Sequence, residues 1–220
     1  MKKGKTLQEL AIEIERQQTS KQDFVAPAAK IAVAVGADNA PFLRLGEGAV
    51  GQAFGINANA HGQLAEYAGI PKAYYDQMKE KAPGLLASNV NHWLQTFNGD
   101  KRLVRVLDGN VRGVLSDRYR PLDNFDLANA VLPVLADKKL VIASCEITER
   151  RLYIKAFNSA VSSEIQRAGR DVFVKDQCSP VICISNSEVG FGALSVMSGI
   201  FTEGCTNLSF FKDSSMRKYH

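Results

Sequence analysis

Residues 101–120 hold a group of basic side chains that could bind the phosphate backbone of a nucleic acid. Six basic residues stand against two acidic ones in this window, so it carries a net charge of +4, equal to that of the whole chain. Most of the six are arginines, whose planar guanidinium group binds phosphate in a bidentate fashion and stacks on bases. A tyrosine between two of the arginines could stack a base directly. The predicted contact residues here are Lys101, Arg102, Arg105, Arg112, Arg118, Tyr119 and Arg120.

A β-hairpin followed by a helix is predicted to position these side chains. The side chains of residues 103–107 and 111–115 alternate, and Asp108-Gly109 between them is a strong signal for a tight turn. Asp123 then offers an N-cap for the helix that follows. A later hairpin over residues 140–157 would extend the basic track with Arg150, Arg151 and Lys155.

Two other interpretations of the basic residues stay open. The charges could do no more than solvate the face of a strand, because strands are often edged with arginine. Arg105 shares a strand face with Leu103 and Leu107, so it could instead lie in a structural ion pair, for example with Asp117.

Residues 61–81 offer a second mode of nucleic-acid binding. The pattern predicts a helix, a turn at Gly69, and a second helix that opens at Pro71 and continues as KAYYDQMKEK. That is the spacing of a helix-turn-helix that reads duplex DNA. An ordinary pair of helices packed on a sheet has the same spacing, so the pattern leaves both possibilities open.

Residues 185–192, SNSEVGFG, are the best candidate for catalysis. A nucleophilic serine needs a base, and His61 and His92 are both far away in the sequence. A structural interpretation is simpler: Asn186 and Ser187 satisfy backbone groups at a turn, and the glycines permit a bend. We therefore predict no catalytic residue.

Patterns for a cofactor or a metal are weak. Gly46-x-Gly48-x-x-Gly51 matches the phosphate-binding GxGxxG string, but the next segment is a poor helix and no βαβ unit surrounds it. The cysteines, Cys145, Cys178, Cys183 and Cys205, form no CxxC pair. We predict buried reduced thiols, no metal and no cofactor.

Composition and patterning predict an α+β protein. The chain is 45% hydrophobic and 23% charged, as in soluble globular proteins, and it has no apolar run long enough to cross a membrane. With no signal peptide apparent, we expect a cytoplasmic location. We predict a mainly antiparallel sheet built from β-hairpins, helices packed on one face, and a helical N-terminal half in which Trp93 is buried. The predicted divisions are an N-terminal helical arm (1–22), a single domain (23–216) and a tail (217–220).

Three segments resemble a known family. They are GIPKAYY at 69–75, LSDRYRPLDN at 115–124, and SNSEVGFG at 185–192 together with CTN at 205–207. They resemble the phage- and plasmid-borne family known as domain of unknown function 932, over most of residues 36–216. Leu208 departs from the family, in which a glycine is more usual. Members usually continue well beyond the CTN segment, so the resemblance implies a shortened form of the protein.

The family's presence on mobile elements implies work in replication, recombination or counter-defence. We predict a DNA-binding protein that favours single strands, with annealing as its concrete activity. Phage annealing proteins of the RecT and Erf type are built on a β-hairpin-plus-helix core, which is an analogy of architecture. Annealing implies a homo-oligomer, since one small domain holds too short a strand. The alternatives are a duplex-binding helix-turn-helix regulator and a counter-defence protein that binds a host protein without nucleic acid.

Overall fold

The computed structural model describes residues 6–46, 51–96, 99–158, 160–161, 163–168, 173–202, 209–210 and 216–218. The chain divides into two compact units, and we consider each by itself. Gln17–Arg120 form what we call the hairpin unit, and Met1–Arg16 with Pro121–His220 form the second unit. The prediction of one domain over residues 23–216 stays a prediction.

The hairpin unit is a six-stranded sheet with helices. Helix α1 (Leu7–Ser20) leads into it, and its last turn belongs to this unit. A short 3₁₀ turn, Ala28–Lys30, separates the first two strands. The elements in chain order are β1 (Lys21–Pro27), β2 (Ile31–Val35), β3 (Pro41–Leu45), β4 (Gln52–Ile56), α2 (Ala58–Tyr67), α3 (Lys72–Lys81), α4 (Pro83–Thr96), β5 (Lys101–Leu107) and β6 (Asn110–Ser116).

The strand order in this sheet is β1-β5-β6-β4-β3-β2, and only the β4–β6 pair is parallel. Helix α2 packs on β6 and α4 packs on β2. The apolar core lies between these helices and the sheet, and it includes Leu43, Leu64, Tyr75, Leu86 and Val104. The structure is α+β, as the sequence predicts. The N-terminal half is mixed rather than only helical, since its described residues include strands β1 to β5 as well as helices α1 to α4.

The second unit holds a seven-stranded sheet that is antiparallel throughout. Its order is β12-β11-β10-β8-β7, with β9 paired to β10 and β13 paired to β11. The elements are α5 (Asn124–Asp137), β7 (Val141–Ile147), β8 (Leu152–Phe157), β9 (Ser163–Ala168), β10 (Phe173–Asn186), β11 (Leu194–Thr202), β12 (Ser209–Phe210) and β13 (Met216–Lys218). Leu10 and Ile14 of α1 are buried with Leu127 and Leu135 of α5 and Ile154 of β8.

Two short sequence patterns adopt the local structures that are typical of them. Thr6 and Glu9 make a reciprocal capping box, in which the Thr6 amide donates to the Glu9 carboxylate and the Glu9 amide donates to Thr6 Oγ1. Asp108 and Gly109 have φ values of 51° and 73°, the left-handed conformation that a tight hairpin turn requires.

Two predictions of packing need correction. Trp93 is 37% exposed, because it lies at the edge of the buried stripe of α4 formed by Leu86, Val90 and Leu94. Asp123 stands at the N-cap of α5 as expected, but its side chain makes no capping hydrogen bond, and the amide of the next residue, Asn124, donates to Glu188.

The glycine pattern at 46–51 lies between two antiparallel strands, β3 and β4. Residues 47–50 of it lie outside the described residues. A dinucleotide-binding fingerprint opens a helix directly, whereas here the chain continues as strand β4. The chain therefore does not enter a helix directly after Gly51, as expected, although the last residues of that segment begin helix α2 at Ala58.

Three of the cysteines, Cys145, Cys178 and Cys183, are buried thiols, and Cys205 lies outside the described residues. No group of three potential metal ligands occurs in the part of the chain that the structure describes. No helix in that part is long and apolar enough to cross a membrane.

Candidate nucleic-acid interface

The β5–β6 hairpin brings five of the predicted contact residues to its open end, away from the Asp108-Gly109 turn. Arg102 near the start of β5 pairs with Ser116 at the end of β6, so the two strand ends lie side by side. Lys101 precedes Arg102 directly, and residues 118–120 follow Ser116 at once. We call Lys101, Arg102, Arg118, Tyr119 and Arg120 the open-end surface.

The turn after β6 is organised by its own hydrogen bonds. Ser116 accepts from the Tyr119 amide through its carbonyl oxygen (3.0 Å) and from the Arg118 amide through Oγ (3.2 Å). The Arg120 guanidinium folds back and donates to the Asp117 carbonyl oxygen (2.9 Å). Tyr119 is half-buried, whereas Arg118 and Arg120 are exposed. The turn therefore carries two exposed cations, Arg118 and Arg120, next to Tyr119 in the chain.

Lys101 and Arg118 are the cations of this surface most open to a ligand. Both are exposed, and neither side chain makes a hydrogen bond or ion pair with the residues that the structure describes. Two carboxylates, Asp100 and Asp117, lie among the cations, so the surface is positive without being purely cationic. Lys101 and Arg118 could each contact a phosphate without first leaving a partner.

Arg102 is held in a fixed position by two residues that the sequence analysis did not single out. Its guanidinium carbon lies 3.6 Å from the centre of the Tyr67 ring, and its Nη2 lies 3.3 Å from Asp100 Oδ2. The Tyr67 hydroxyl donates to the same carboxylate oxygen at 3.1 Å. Burial raises the pKa of Tyr67, which keeps the hydroxyl protonated. No local pattern marks Tyr67, because it approaches Arg102 from the end of α2.

Arg105 is closed off from any ligand. Its side chain is 0% exposed, and its Nε and Nη2 donate to the two carboxylate oxygens of Asp23 at 2.9 Å. The partner is Asp23 on β1, directly opposite in the sheet, and not Asp117. Arg105 is therefore removed from the predicted contact residues, because a phosphate cannot reach its guanidinium.

Arg112 is also removed, because only 8% of the residue is exposed. Arg105 pairs with Gly113 and Val106 pairs with Val111, so Arg112 is the extra residue of a β-bulge in β6. The bulge breaks the alternation along the strand, which is why counting residues from the turn does not predict the side on which Arg112 lies.

The predicted extension of the basic track lies in the second unit. Arg150 is exposed, with its guanidinium 4.7 Å from the centre of the Phe191 ring, whereas Arg151 is half-buried and donates from Nε to the Phe191 carbonyl oxygen at 2.8 Å. Lys155 is half-buried opposite Cys183 in the sheet. Arg150 is the most open of the three, and Arg151 is held by the backbone beside it.

Residues 185–192 form a buried polar junction. Asn186 is 0% exposed and donates from Nδ2 to the Leu122 carbonyl oxygen at 2.7 Å and to Asn124 Oδ1 at 3.0 Å. Glu188 accepts the Asn124 amide at 2.6 Å. The strings LSDRYRPLDN and SNSEVGFG, which both contribute to the family resemblance, thus meet through their ends.

Ser187 in this junction is occupied by structural hydrogen bonds. Its hydroxyl donates to the Arg150 carbonyl oxygen at 2.7 Å and accepts from the Phe191 amide at 2.9 Å. Gly192, at φ 140°, packs against the Arg151 guanidinium, where any side chain would clash. These contacts support the structural interpretation of the segment, in which Ser187 organises a turn.

The helices of the duplex-binding alternative form as expected, but much of α3 faces inward. Tyr75 and Met78 are buried, and the Tyr75 hydroxyl shares a hydrogen bond of 2.9 Å with His61 Nδ1. Burial, with a contribution from Lys79, lowers the pKa of His61 from 6.5 to about 4, so this imidazole is neutral at pH 7. Lys72 forms an exposed ion pair with Asp76 one turn along the helix.

No protein-family model, no curated protein and no solved structure matches this chain. Membership of the family named above therefore stays a prediction.

Proposed function

We propose that this chain binds nucleic acid in single-stranded form through the open-end surface, and that it serves a phage or plasmid by annealing DNA strands. The observation that carries the proposal is the meeting of exposed cations with a tyrosine at one end of the β5–β6 hairpin. Cations that track a backbone, together with a ring on which bases stack, are the usual means of binding a single strand without sequence preference.

The same surface fits a duplex less well. Duplex bases are already stacked, so Tyr119 could contribute only in a single strand or at a strand end. The helix that would enter a major groove, α3, buries Tyr75 and Met78 and has Lys72 engaged by Asp76. Residues 115–124 resemble a family from mobile elements, for which the resemblance implies work such as recombination, and this also favours a single strand over a duplex as the partner. Annealing would further require several copies of the chain to hold a useful length of strand.

Salt dependence of binding in a pair of double variants tests this assignment. Lys101→Ala with Arg118→Ala removes two exposed cations of the open-end surface, and Lys72→Ala with Lys81→Ala removes two exposed cations of α3. Each phosphate of a single strand that the protein no longer neutralises should flatten the slope of log affinity against log salt by about 0.7. We expect a change of about 1.4 for the first pair and none for the second.

The opposite pattern would overturn the assignment. A wild-type slope in the Lys101→Ala, Arg118→Ala variant would remove the open-end surface as the binding site. A flattened slope for Lys72→Ala, Lys81→Ala on duplex DNA would instead favour the helix-turn-helix. Absence of binding by the wild type would leave the protein-binding alternative.

A further inference from the structure

Two arginines on β5 form ion pairs, but the two pairs differ in their access to solvent. The Arg105 side chain is 0% exposed and donates to both carboxylate oxygens of Asp23. The Arg102 side chain is 18% exposed and contacts one carboxylate oxygen of Asp100. The Asp100 side chain is itself 55% exposed. The guanidinium of the Arg105–Asp23 pair is therefore closed to a ligand, whereas the Arg102–Asp100 pair lies at the open-end surface beside Lys101.

Three contacts fix the orientation of the Arg102 guanidinium. Tyr67 covers one of its faces at 3.6 Å, and Asp100 accepts from Nη2 at one edge. The Tyr67 hydroxyl in turn donates to the same Asp100 oxygen at 3.1 Å. A free arginine must order its long side chain when it binds a phosphate, which reduces the affinity. Here the ordering is already done in the free protein.

We propose that Tyr67 and Asp100 are positioning residues that hold Arg102 as a pre-oriented contact for a backbone phosphate of the bound strand. This inference rests on the proposed function and deepens it. The open-end surface then has one fixed cation, Arg102, between cations that are free to adapt, Lys101 and Arg118. The fixed guanidinium sets where the backbone lies, and the adaptable side chains follow it.

Binding of a fluorescein-labelled oligothymidylate, measured by anisotropy at several salt concentrations, tests the inference. Tyr67→Leu removes the ring, and Tyr67→Phe keeps the ring while removing the hydroxyl. Arg102→Ala removes the cation, and Arg102→Lys keeps its charge without the planar group. Tyr74→Leu is the matched control, since Tyr74 is an exposed tyrosine on α3 that is 47% exposed.

We expect Arg102→Ala to weaken binding about tenfold, the effect of removing one hydrogen bond to a charged group. Tyr67→Leu should cost nearly as much in affinity but should keep a salt slope close to that of the wild type, because the charge of Arg102 remains and only its orientation is lost. Adding Tyr67→Leu to Arg102→Ala should cost nothing more, since both changes remove the same interaction. Arg102→Lys should bind nearly as weakly as Arg102→Ala, Tyr67→Phe should lie between wild type and Tyr67→Leu, and Tyr74→Leu should bind as wild type does.

The inference is overturned if Tyr67→Leu and Arg102→Lys bind with the wild-type affinity while Lys101→Ala, Arg118→Ala still weakens binding. In that case Arg102 and Tyr67 only join β5 to α2, and the proposed function stands without the inference. Additive losses in the double variant would overturn it as well. If Tyr67→Leu does not fold, Tyr67→Phe and Arg102→Lys decide alone. Failure of the wild type to bind would end the proposed function and the inference together.

Discussion

The buried ion pair between Asp23 and Arg105 leads to a prediction about stability that separates the interior from the ligand surface. Removing one partner of a buried pair leaves an uncompensated charge, which costs about 3–5 kcal/mol. The Asp23 side chain is 33% exposed, so water can reach the vacated position and soften the penalty. We expect Asp23→Ala to lower the free energy of unfolding by about 3 kcal/mol, at the lower end of that range.

Substitution of the other partner should be far milder. Arg105→Met replaces the buried guanidinium with an apolar chain of comparable length and leaves Asp23 partly hydrated, so we expect a change of about 1 kcal/mol or less. Asp76→Ala is the matched control, because it breaks an exposed aspartate pair worth about 0.3–0.5 kcal/mol. Arg105→Met should also leave nucleic-acid binding unchanged, since Arg105 is closed off from solvent.

Urea unfolding followed by tryptophan fluorescence is the appropriate assay. Trp93 is the chain's single tryptophan and lies on α4 of the same unit, so its emission reports on the unfolding of that unit. An Asp23→Ala variant no less stable than Asp76→Ala would refute the argument. An Arg105→Met variant that loses affinity for a single strand while remaining folded would show that the guanidinium does reach a ligand.

Three further predictions concern stability. His61 has a folded-state pKa of about 4 against 6.5 unfolded, so below pH 6.5 the unfolded chain takes up a proton that the folded chain cannot. Stability should therefore fall by about 2 kcal/mol more in the wild type than in His61→Gln between pH 7 and about pH 4.5. Asn91→Ala should cost about 1–3 kcal/mol, because its side chain bonds both the amide and the carbonyl of Val33 on edge strand β2 (2.7 and 2.8 Å). Gly192→Ala should lower the free energy of unfolding by more than about 1 kcal/mol. A φ of 140° alone strains an alanine by about that amount, and the added carbon would also clash with the Arg151 guanidinium.

Matched controls exist for these three variants, and all can be read in thermal or urea unfolding. His92→Gln changes an exposed histidine on α4, Ser88→Ala an exposed side chain on the same helix, and Gly84→Ala a glycine with open space around it. Parallel pH profiles for His61→Gln and wild type would contradict the first prediction. Losses of stability no larger than those of the controls would contradict the other two.

Features set by neighbouring residues were predictable from the sequence. The Asp108-Gly109 turn depends on a few residues in a row and forms as expected, and the Thr6–Glu9 capping box is of the same local kind. Strand β4 was missed because its sequence, QAFGI, is short and contains a glycine in an element that normally avoids it.

The features that local pattern could not predict depend on residues far apart in the chain. Arg105 and Asp23 are separated by 82 positions, and Glu188 and Asn124 by 64. The alternation of side chains along β5 predicted that Arg105 lies on an apolar strand face, but it could not predict which carboxylate pairs with it. The bulge at Arg112 shifts the register of β6, which alternation assumes to be constant. Tyr67 reaches Arg102 only because α2 returns to the open end of the hairpin.

We propose above that the open-end surface binds single-stranded nucleic acid. It is tested most directly by fluorescence anisotropy of the wild-type chain with labelled single-stranded and duplex oligonucleotides of one sequence, each at two salt concentrations. We expect the chain to bind the single strand more tightly than the duplex, with an affinity that falls steeply as the salt concentration rises. Equal or tighter binding to the duplex, or no binding to either at low salt, would contradict it.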